Sequence, residues 1–272
     1  MGNDSRSLAK RALSPRAFHL ARYIRWQGKF YLPHKAAAVF IHQPPVVTAY
    51  PSATSDFADR IRAANLLAPT PMCRVMTWYG SDKGYTRHNY TPIYSKLFAG
   101  RRNEPLRIFE LGLGTNNPEL ISSMGELGMP GASLRGWREL FPKAQIYGAD
   151  IDRSILFKSE RIETYYCDQL DAEAIRNLWA QPALAGGMDI LIEDGLHTFE
   201  GNISFLNGSL KQLRPGGIYV VEDILSETVP QWHDYLAKNA ASFGPEFEFA
   251  FAELPNKFNR FDNNLLFIRR AA

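Results

Sequence analysis

Acidic residues close five successive β-branched or aromatic runs of this chain. Glu110 follows Arg107-Ile-Phe, Asp150 ends Gln145-Ile-Tyr-Gly-Ala-Asp, and Asp168 follows Ile162 to Cys167. Asp194 ends the run from Met188, and Glu222 with Asp223 ends Gly217-Ile-Tyr-Val-Val. If these runs are parallel strands, every carboxylate reaches one sheet edge, where open α/β sheets bind ligands. Asp194, Glu222 and Asp223 come from adjacent strand ends and have the oxygen chemistry of a hard divalent cation, Mg²⁺ or Mn²⁺. His197, three residues beyond Asp194, would hang over the same pocket and accept a proton near neutral pH. A neighbouring cation would lower its pKa. The plainer roles are a helix cap or core hydrogen bond for His197 and N-capping for Glu222-Asp223.

Between Glu110 and the next helix lies Leu-Gly-Leu-Gly, whose Gly112 and Gly114 would let a cofactor approach bare backbone. A dinucleotide fingerprint wants a third glycine at 117, but that residue is Asn. The pattern therefore disfavours a nicotinamide oxidoreductase and suits a cofactor without a pyrophosphate, such as S-adenosylmethionine. Asp150 is placed to accept both ribose hydroxyls. Asp168, followed by Gln169, is placed to reach the adenine, and Asp171 to cap the next helix.

The elements that must position these residues begin at Leu106, where strand and helix patterns alternate as in a parallel sheet with crossover helices. Helices are expected near 132–140, 171–180, 200–213 and 229–243. Two extended runs follow, Phe247 to Leu254 and Asn264 to Arg269, with no room for a helix between them. They should form a hairpin that adds an antiparallel strand, an ending typical of Rossmann-type methyltransferases. Upstream, Ala17–Trp26 and Asp56–Leu67 read as helices, with Pro44-Pro45 a break and Pro69 and Pro71 a stop. Tyr79-Gly-Ser-Asp-Lys-Gly84 has loop composition, and Thr91–Ala99 repeats apolar residues at three and four.

The 272 residues, 45% of them hydrophobic, allow one large α/β domain and an accessory segment. Cys73 and Cys167 lie far apart and in no metal-ligand spacing, which fits a reduced, cytoplasmic setting. No apolar run is long enough to cross a bilayer, and no secretory signal pattern opens the chain. The net charge of +3 is uneven: residues 1–48 hold Arg6, Lys10, Arg11, Arg16, Arg22, Arg25, Lys29 and Lys35 against Asp4 alone. With Phe18, Tyr23, Trp26, Phe30 and Tyr31 among them, this arm suits a peripheral contact with an anionic membrane or acceptor. It suits packing on its own domain or a neighbour equally well, and a homo-oligomer is expected. Nucleic acid is disfavoured, because no recognition motif accompanies the charge.

The ordered set Tyr79-Gly-Ser-Asp-Lys-Gly84, His88, Tyr90, Tyr94, Glu110 to Gly114, Gly131-Ala-Ser-Leu-Arg135, Trp137 and Phe141-Pro142 continues downstream. It runs on through Gly148 to Asp152, Arg161-Ile162, Asp168-Gln169, Asp194-Gly-x-His197 and Pro215 to Asp223. Over residues 78–225 this closely resembles the metal-dependent sugar O-methyltransferases of macrolide biosynthesis, of the mycinamicin deoxysugar type. The resemblance implies a Rossmann-like class I methyltransferase fold, a seven-stranded, mostly parallel sheet with an antiparallel C-terminal hairpin strand, while the first 75 residues fall outside it and read from their own pattern as a helical N-terminal extension. It divides the chain into a basic extension, 1–75, and a catalytic domain, 76–272. It implies S-adenosylmethionine held by Tyr79, Ser81, Glu110, Gly112, Gly114, Ser133, Arg135, Asp150, Ile151, Asp168, Gln169 and Asp194. It further implies Mg²⁺ on Asp194, Glu222 and Asp223, His197 as general base, and a sugar or glycan acceptor; a catechol offers the same vicinal diol. Three features depart from the pattern: the longer 115–130 segment, Leu196 in place of a usual Ser, and Gly201 where a second His is common.

Overall fold

The computed structural model describes residues 15–272 apart from 53, 54, 86 and 127. Of the arm's charged residues, Asp4, Arg6, Lys10 and Arg11 lie outside the described residues, as does the side chain of Arg16. The strands are β1 (Val46–Tyr50), β2 (Arg107–Leu111), β3 (Gln145–Asp150), β4 (Lys158–Ser159) and β5 (Ile162–Tyr166). They continue as β6 (Met188–Glu193), β7 (Leu213–Ile224), β8 (Phe247–Glu253) and β9 (Asn264–Arg270). One sheet contains them all, in the order β1-β8-β9-β7-β6-β2-β3-β5-β4. The run β7-β6-β2-β3-β5 is parallel throughout. β9 inserts antiparallel between β7 and β8, the expected hairpin ending.

Seven strands were expected and nine are observed, because each edge gains one. β4 is a two-residue antiparallel addition to β5, too short to leave a periodic signal. β1 pairs antiparallel with β8, so part of the segment expected to be helical extends the sheet. Its Val47 and Ala49 turn inward while Val46 and Thr48 face out, an alternation hidden between the flanking prolines 45 and 51. A second difference is the helix Pro71–Tyr79. Pro71 does not stop a helix but starts one, because the first turn needs no N–H from it; Thr70 caps that end and Gly80, at φ +96°, closes the other.

The period of two along the strands divides the interior into two layers. Ile108 and Val220 face one core, with Trp137 of the helix Ala132–Leu140 and the aromatic residues of Thr91–Phe98. Phe109 and Tyr219 face the other, under the helices Ala172–Trp179, Phe199–Ser209 and Val229–Asn239. With both faces covered, the parallel strands are held apolar along their length and polar groups are left to the strand ends. The strand order reverses at β2, which has β3 on one side and β6 on the other. That reversal opens a crevice beyond the strand ends.

Candidate active site

A cavity of about 490 Å³ occupies this crevice, and Gly112, Gly114, Asp150, Asp168, Asp194, His197 and Asp223 all line it. Five strands therefore do bring their terminal residues to one place. The glycines serve a purpose the sequence did not disclose. A Cβ on Gly112 (φ +89°) would lie 1.8 Å from the Asp194 carbonyl oxygen, and one on Gly114 (φ +77°) would lie 1.9 Å from the Met124 sulfur. Gly112 needs glycine because its neighbour is backbone, whereas at Gly114 the neighbour is a flexible methionine and the positive φ is what favours glycine.

At the strand ends the backbone is strained where the chemistry lies. Among the described residues, Arg161, His197 and Asp223 are the non-glycine positions with positive φ, at 57°, 62° and 53°. Two of the three carry site side chains, and residues in such conformations cluster at functional sites. The register between β7 and β9 shifts between Val221 and Ile224, a bulge that turns the consecutive acids Glu222 and Asp223 to different surroundings. Asp223 faces the cavity. Glu222 does not line it: its carboxylate accepts from the Lys83 ammonium and the Tyr94 hydroxyl, and the residue is 1% exposed. Of the expected trio, Asp194 and Asp223 line the cavity, and Glu222 lies behind them, joined to Asp194 through Lys83. One potential ligand atom from each of Asp194, His197 and Asp223 lies within 4.8 Å of the others.

Lys83 is the residue that sequence reasoning passed over. Its Nζ lies 2.6 Å from Asp194 Oδ2 and 3.4 Å from Glu110 Oε1, and it also pairs with Glu222. Burial would discharge this amine, but Asp194, Glu110 and Glu222 hold it well above its usual value, so it stays an ammonium. Burial likewise works to raise Asp194, yet Lys83 and His197 keep it well below the usual carboxylate range. Glu222 is pushed well above that range by burial and by its acidic neighbours, against the pull of Lys83. His197 donates from Nε2 to Asp194 Oδ1 at 3.2 Å and stands 3.9 Å from Asp223 Oδ2. Burial opposes its charge, but Asp194, Asp223 and Glu193 raise the imidazole to about 10. Without a metal, His197 is an imidazolium at neutral pH.

Other expected residues divide by what their polar atoms already touch. Asp150 accepts from Leu113 N at 2.7 Å and Asp152 N at 2.8 Å, which pins the glycine turn to β3. Glu110 accepts from Ser133 Oγ and, at 2.6 Å, from Trp137 Nε1, so it braces the adjoining helix as well as lining the cavity. Gln169 reaches Leu196 N at 2.7 Å and Glu193 at 3.1 Å, anchoring the loop that carries His197. Ser81, Ser133 and the half-exposed Ile151 line the cavity too. Tyr79 and Arg135 do not. The Tyr79 hydroxyl donates to Glu139 at 2.8 Å, and Arg135 donates to the Pro130 carbonyl at 2.8 Å and stacks on Phe157. Tyr79 thus ties two helices together and Arg135 braces the turn before its own helix, so the structure does not bring either to the cavity with the other expected residues. Tyr90 and His88 also bear on the site: the Tyr90 hydroxyl donates to Asp223 at 2.7 Å, and buried His88 lies 3.5 Å from the same carboxylate.

No protein-family model matches the chain. It is 29% identical over 198 residues to the 8-demethyl-8-α-L-rhamnosyl tetracenomycin-C 2′-O-methyltransferase of Streptomyces olivaceus, a match covering 72% of this chain and 47% of that protein. It is 31% identical over 181 residues to a tetracenomycin 3′-O-methyltransferase of the same organism, covering 64% and 43%. With the mycinamicin VI 2″-O-methyltransferase of Micromonospora griseorubida it shares 36% identity over 138 residues, covering 50% and 32%. The matched part of the chain spans less than half the length of each of these curated relatives. Among solved structures it is similar to the MycE methyltransferase of mycinamycin biosynthesis, in a complex with Mg, SAH and mycinamycin VI. The TM-score is 0.54 and the identity 26%, over 75% of this chain and 54% of that one. The chain therefore has the Rossmann-like methyltransferase fold and is similar in sequence to sugar O-methyltransferases of macrolide and polyketide biosynthesis.

Proposed function

We propose that this chain transfers a methyl group from S-adenosylmethionine to a hydroxyl of a sugar or glycan-type acceptor, with Mg²⁺ or Mn²⁺ as the metal. The observation that carries the reading is the convergence of Asp194, His197 and Asp223 on the cavity that the Gly112 turn and Asp150 also line. The similarity to enzymes that methylate rhamnosyl and mycinamicin sugars supports a deoxysugar on a small molecule or glycan as acceptor.

Each side chain then has a role set by its surroundings. Asp150 uses one lone pair of each oxygen on backbone N–H groups and keeps others for ribose hydroxyls. Asp168 and Ile151 would flank the nucleoside on the same wall. Asp194 and Asp223 would hold the metal, oxygen donors that suit a hard cation, and Glu222, which shares Lys83 with Asp194, would supply a third carboxylate. A bound divalent ion supplies a Lewis acid that lowers the pKa of an acceptor hydroxyl. The acceptor oxygen would form its bond to the methyl carbon as the carbon–sulfur bond breaks and S-adenosylhomocysteine leaves, with the hydroxyl proton passing to the His197 imidazole. That last step needs a neutral imidazole. The negative charge of Asp194 and Asp223 keeps His197 protonated, so it becomes a base only when a cation has neutralised those carboxylates.

The test supplies S-adenosylmethionine, Mg²⁺ and a panel of rhamnosyl and related deoxysugar glycosides, and looks by mass spectrometry for a product heavier by one CH₂. Excess chelator should abolish the product. His197→Ala should lower turnover by about 10²–10⁴, the usual worth of a general base. Calorimetry that finds no binding of S-adenosylmethionine or S-adenosylhomocysteine to the wild-type protein would overturn the reading.

A further inference from the structure

Residues 15–37 form one helical stretch, Pro15–Trp26, a π-turn Gln27–Tyr31, and Leu32–Ala37. The chain carries no acid between Asp4 and Asp56, whereas 15–43 carries Arg16, Arg22, Arg25, Lys29 and Lys35. The aromatic residues of this stretch take the packing role, one of the two that the sequence left open. Phe18 and Trp26 are buried, and Trp26 packs with Cys73 and Tyr85 while Tyr23, Phe30 and Tyr31 close around them. They fasten the stretch to the body of the protein.

A different set of residues faces out. Leu20, Ile24 and Leu32 are 48%, 60% and 57% exposed, and Val39, Phe40 and Ile41 that follow are 74%, 88% and 54% exposed. Leu20 and Ile24 sit one turn apart on the same side, and Arg25, Lys29 and Lys35 are exposed among them. A second, distant segment meets the end of this stretch. Phe258, from the loop between β8 and β9, is 52% exposed and lies 5.4 Å from the Phe30 ring; Ile41 and Lys257 line one cleft with it. Exposed apolar side chains gathered in this way mark an interaction site.

We propose that this face seats the protein on an anionic lipid surface. Exposed apolar side chains interspersed with Lys and Arg, with no acid in the stretch, are the chemistry of a segment lying in the membrane interface. Charge selects this occupant over a second copy, because a two-fold contact would set an acid-free basic patch against itself. Among the described residues no helix is long and apolar enough to cross a membrane, so the contact is made by lying on the surface.

The test sediments the full chain with vesicles of equal parts phosphatidylglycerol and phosphatidylcholine, and with phosphatidylcholine alone, at low ionic strength. The wild type should bind the anionic vesicles only, and salt should release it. Ile24→Asp with Phe40→Asp should lower the partition at least about ten-fold, and Lys29→Ala with Lys35→Ala about five-fold per charge removed. These side chains are exposed, and an unchanged thermal shift with S-adenosylhomocysteine would show each variant folded. The proposal is overturned if the wild type ignores anionic vesicles, or binds both kinds equally. It is also overturned if light scattering finds a dimer that the Ile24→Asp, Phe40→Asp variant breaks, which would make the face a contact between copies.

Discussion

His197 occupies a strained position, φ +62°, to put its imidazole against two carboxylates, and in the metal-free protein that imidazole holds its proton to about pH 10. Its folded pKa stands above the unfolded value of about 6.5, so its share of stability is full below that pH and is lost as the pH rises toward 10. A cation bound by Asp194 and Asp223 must therefore displace a proton. Calorimetric titration of the chelator-treated protein with Mn²⁺ at pH 8, in buffers of differing ionisation enthalpy, should show close to one proton released per ion. The His197→Gln variant should release none, and equal release from both proteins would remove His197 from the account. At this scale the sequence disclosed the participants better than their partners. Asp194, His197 and Asp223 could be read because each ends or follows a strand. Lys83 could not: a lysine in a loop reads as solvated, and what buries it is the fold bringing Glu110 and Glu222 to it from strands far along the chain. The surroundings of Glu222 were hidden for the same reason, since its partners Lys83 and Tyr94 come from a loop and a helix far upstream.

The elements around the site can be tested through glycines that look alike in sequence. Gly112 and Gly216 both have positive φ, +89° and +76°, the one just after β2 and the other near the start of β7. A Cβ at 112 meets the Asp194 carbonyl at 1.8 Å, whereas one at 216 meets nothing within 4 Å. Gly216→Ala should therefore cost only the left-handed backbone penalty, about 1–2 kcal/mol. Gly112→Ala adds a clash with backbone that cannot rotate away, worth roughly a further 1–3 kcal/mol or more, and it displaces the strand end carrying Asp194. Urea denaturation should rank the two in that order, and only Gly112→Ala should weaken Mn²⁺ binding. Equal stability would mean that the β2 turn relaxes freely. The parallel strands and crossover helices were legible because apolar period and turn residues agreed with one another. β1 and the helix Pro71–Tyr79 were not, because each borders on proline, and proline marks an element's start as often as its end.

For the molecule as a whole, the question is whether the first 75 residues are an appendage or part of the folding unit. β1 is hydrogen-bonded along its length to β8, and the helical stretch is clamped through Trp26 to Cys73 and Tyr85. The Tyr85 hydroxyl in turn donates to the Leu66 carbonyl at 2.7 Å, so the clamp draws on both sides of residue 75. We expect the segment and the sheet to unfold together. The two free cysteines are suited to test this, since Cys73 lies in the clamp and Cys167 at the end of β5 beside the cavity, both buried. Burial with Asp168 and Asp171 pushes the Cys167 thiol up to about 12, and burial also raises Cys73 despite hydrogen bonds from Thr91 and Thr70. Neither should react with an alkylating reagent at pH 8 until the structure around it opens, so labelling reads opening rather than chemistry. Under native conditions with rising urea, both cysteines should label with the same dependence and the same midpoint. S-Adenosylhomocysteine should slow both together, because a ligand that binds the folded state stabilises all of a cooperative unit. Labelling of Cys73 at clearly lower urea, with Cys167 still protected, would show that the N-terminal segment opens by itself and that β1 docks on a sheet already complete without it.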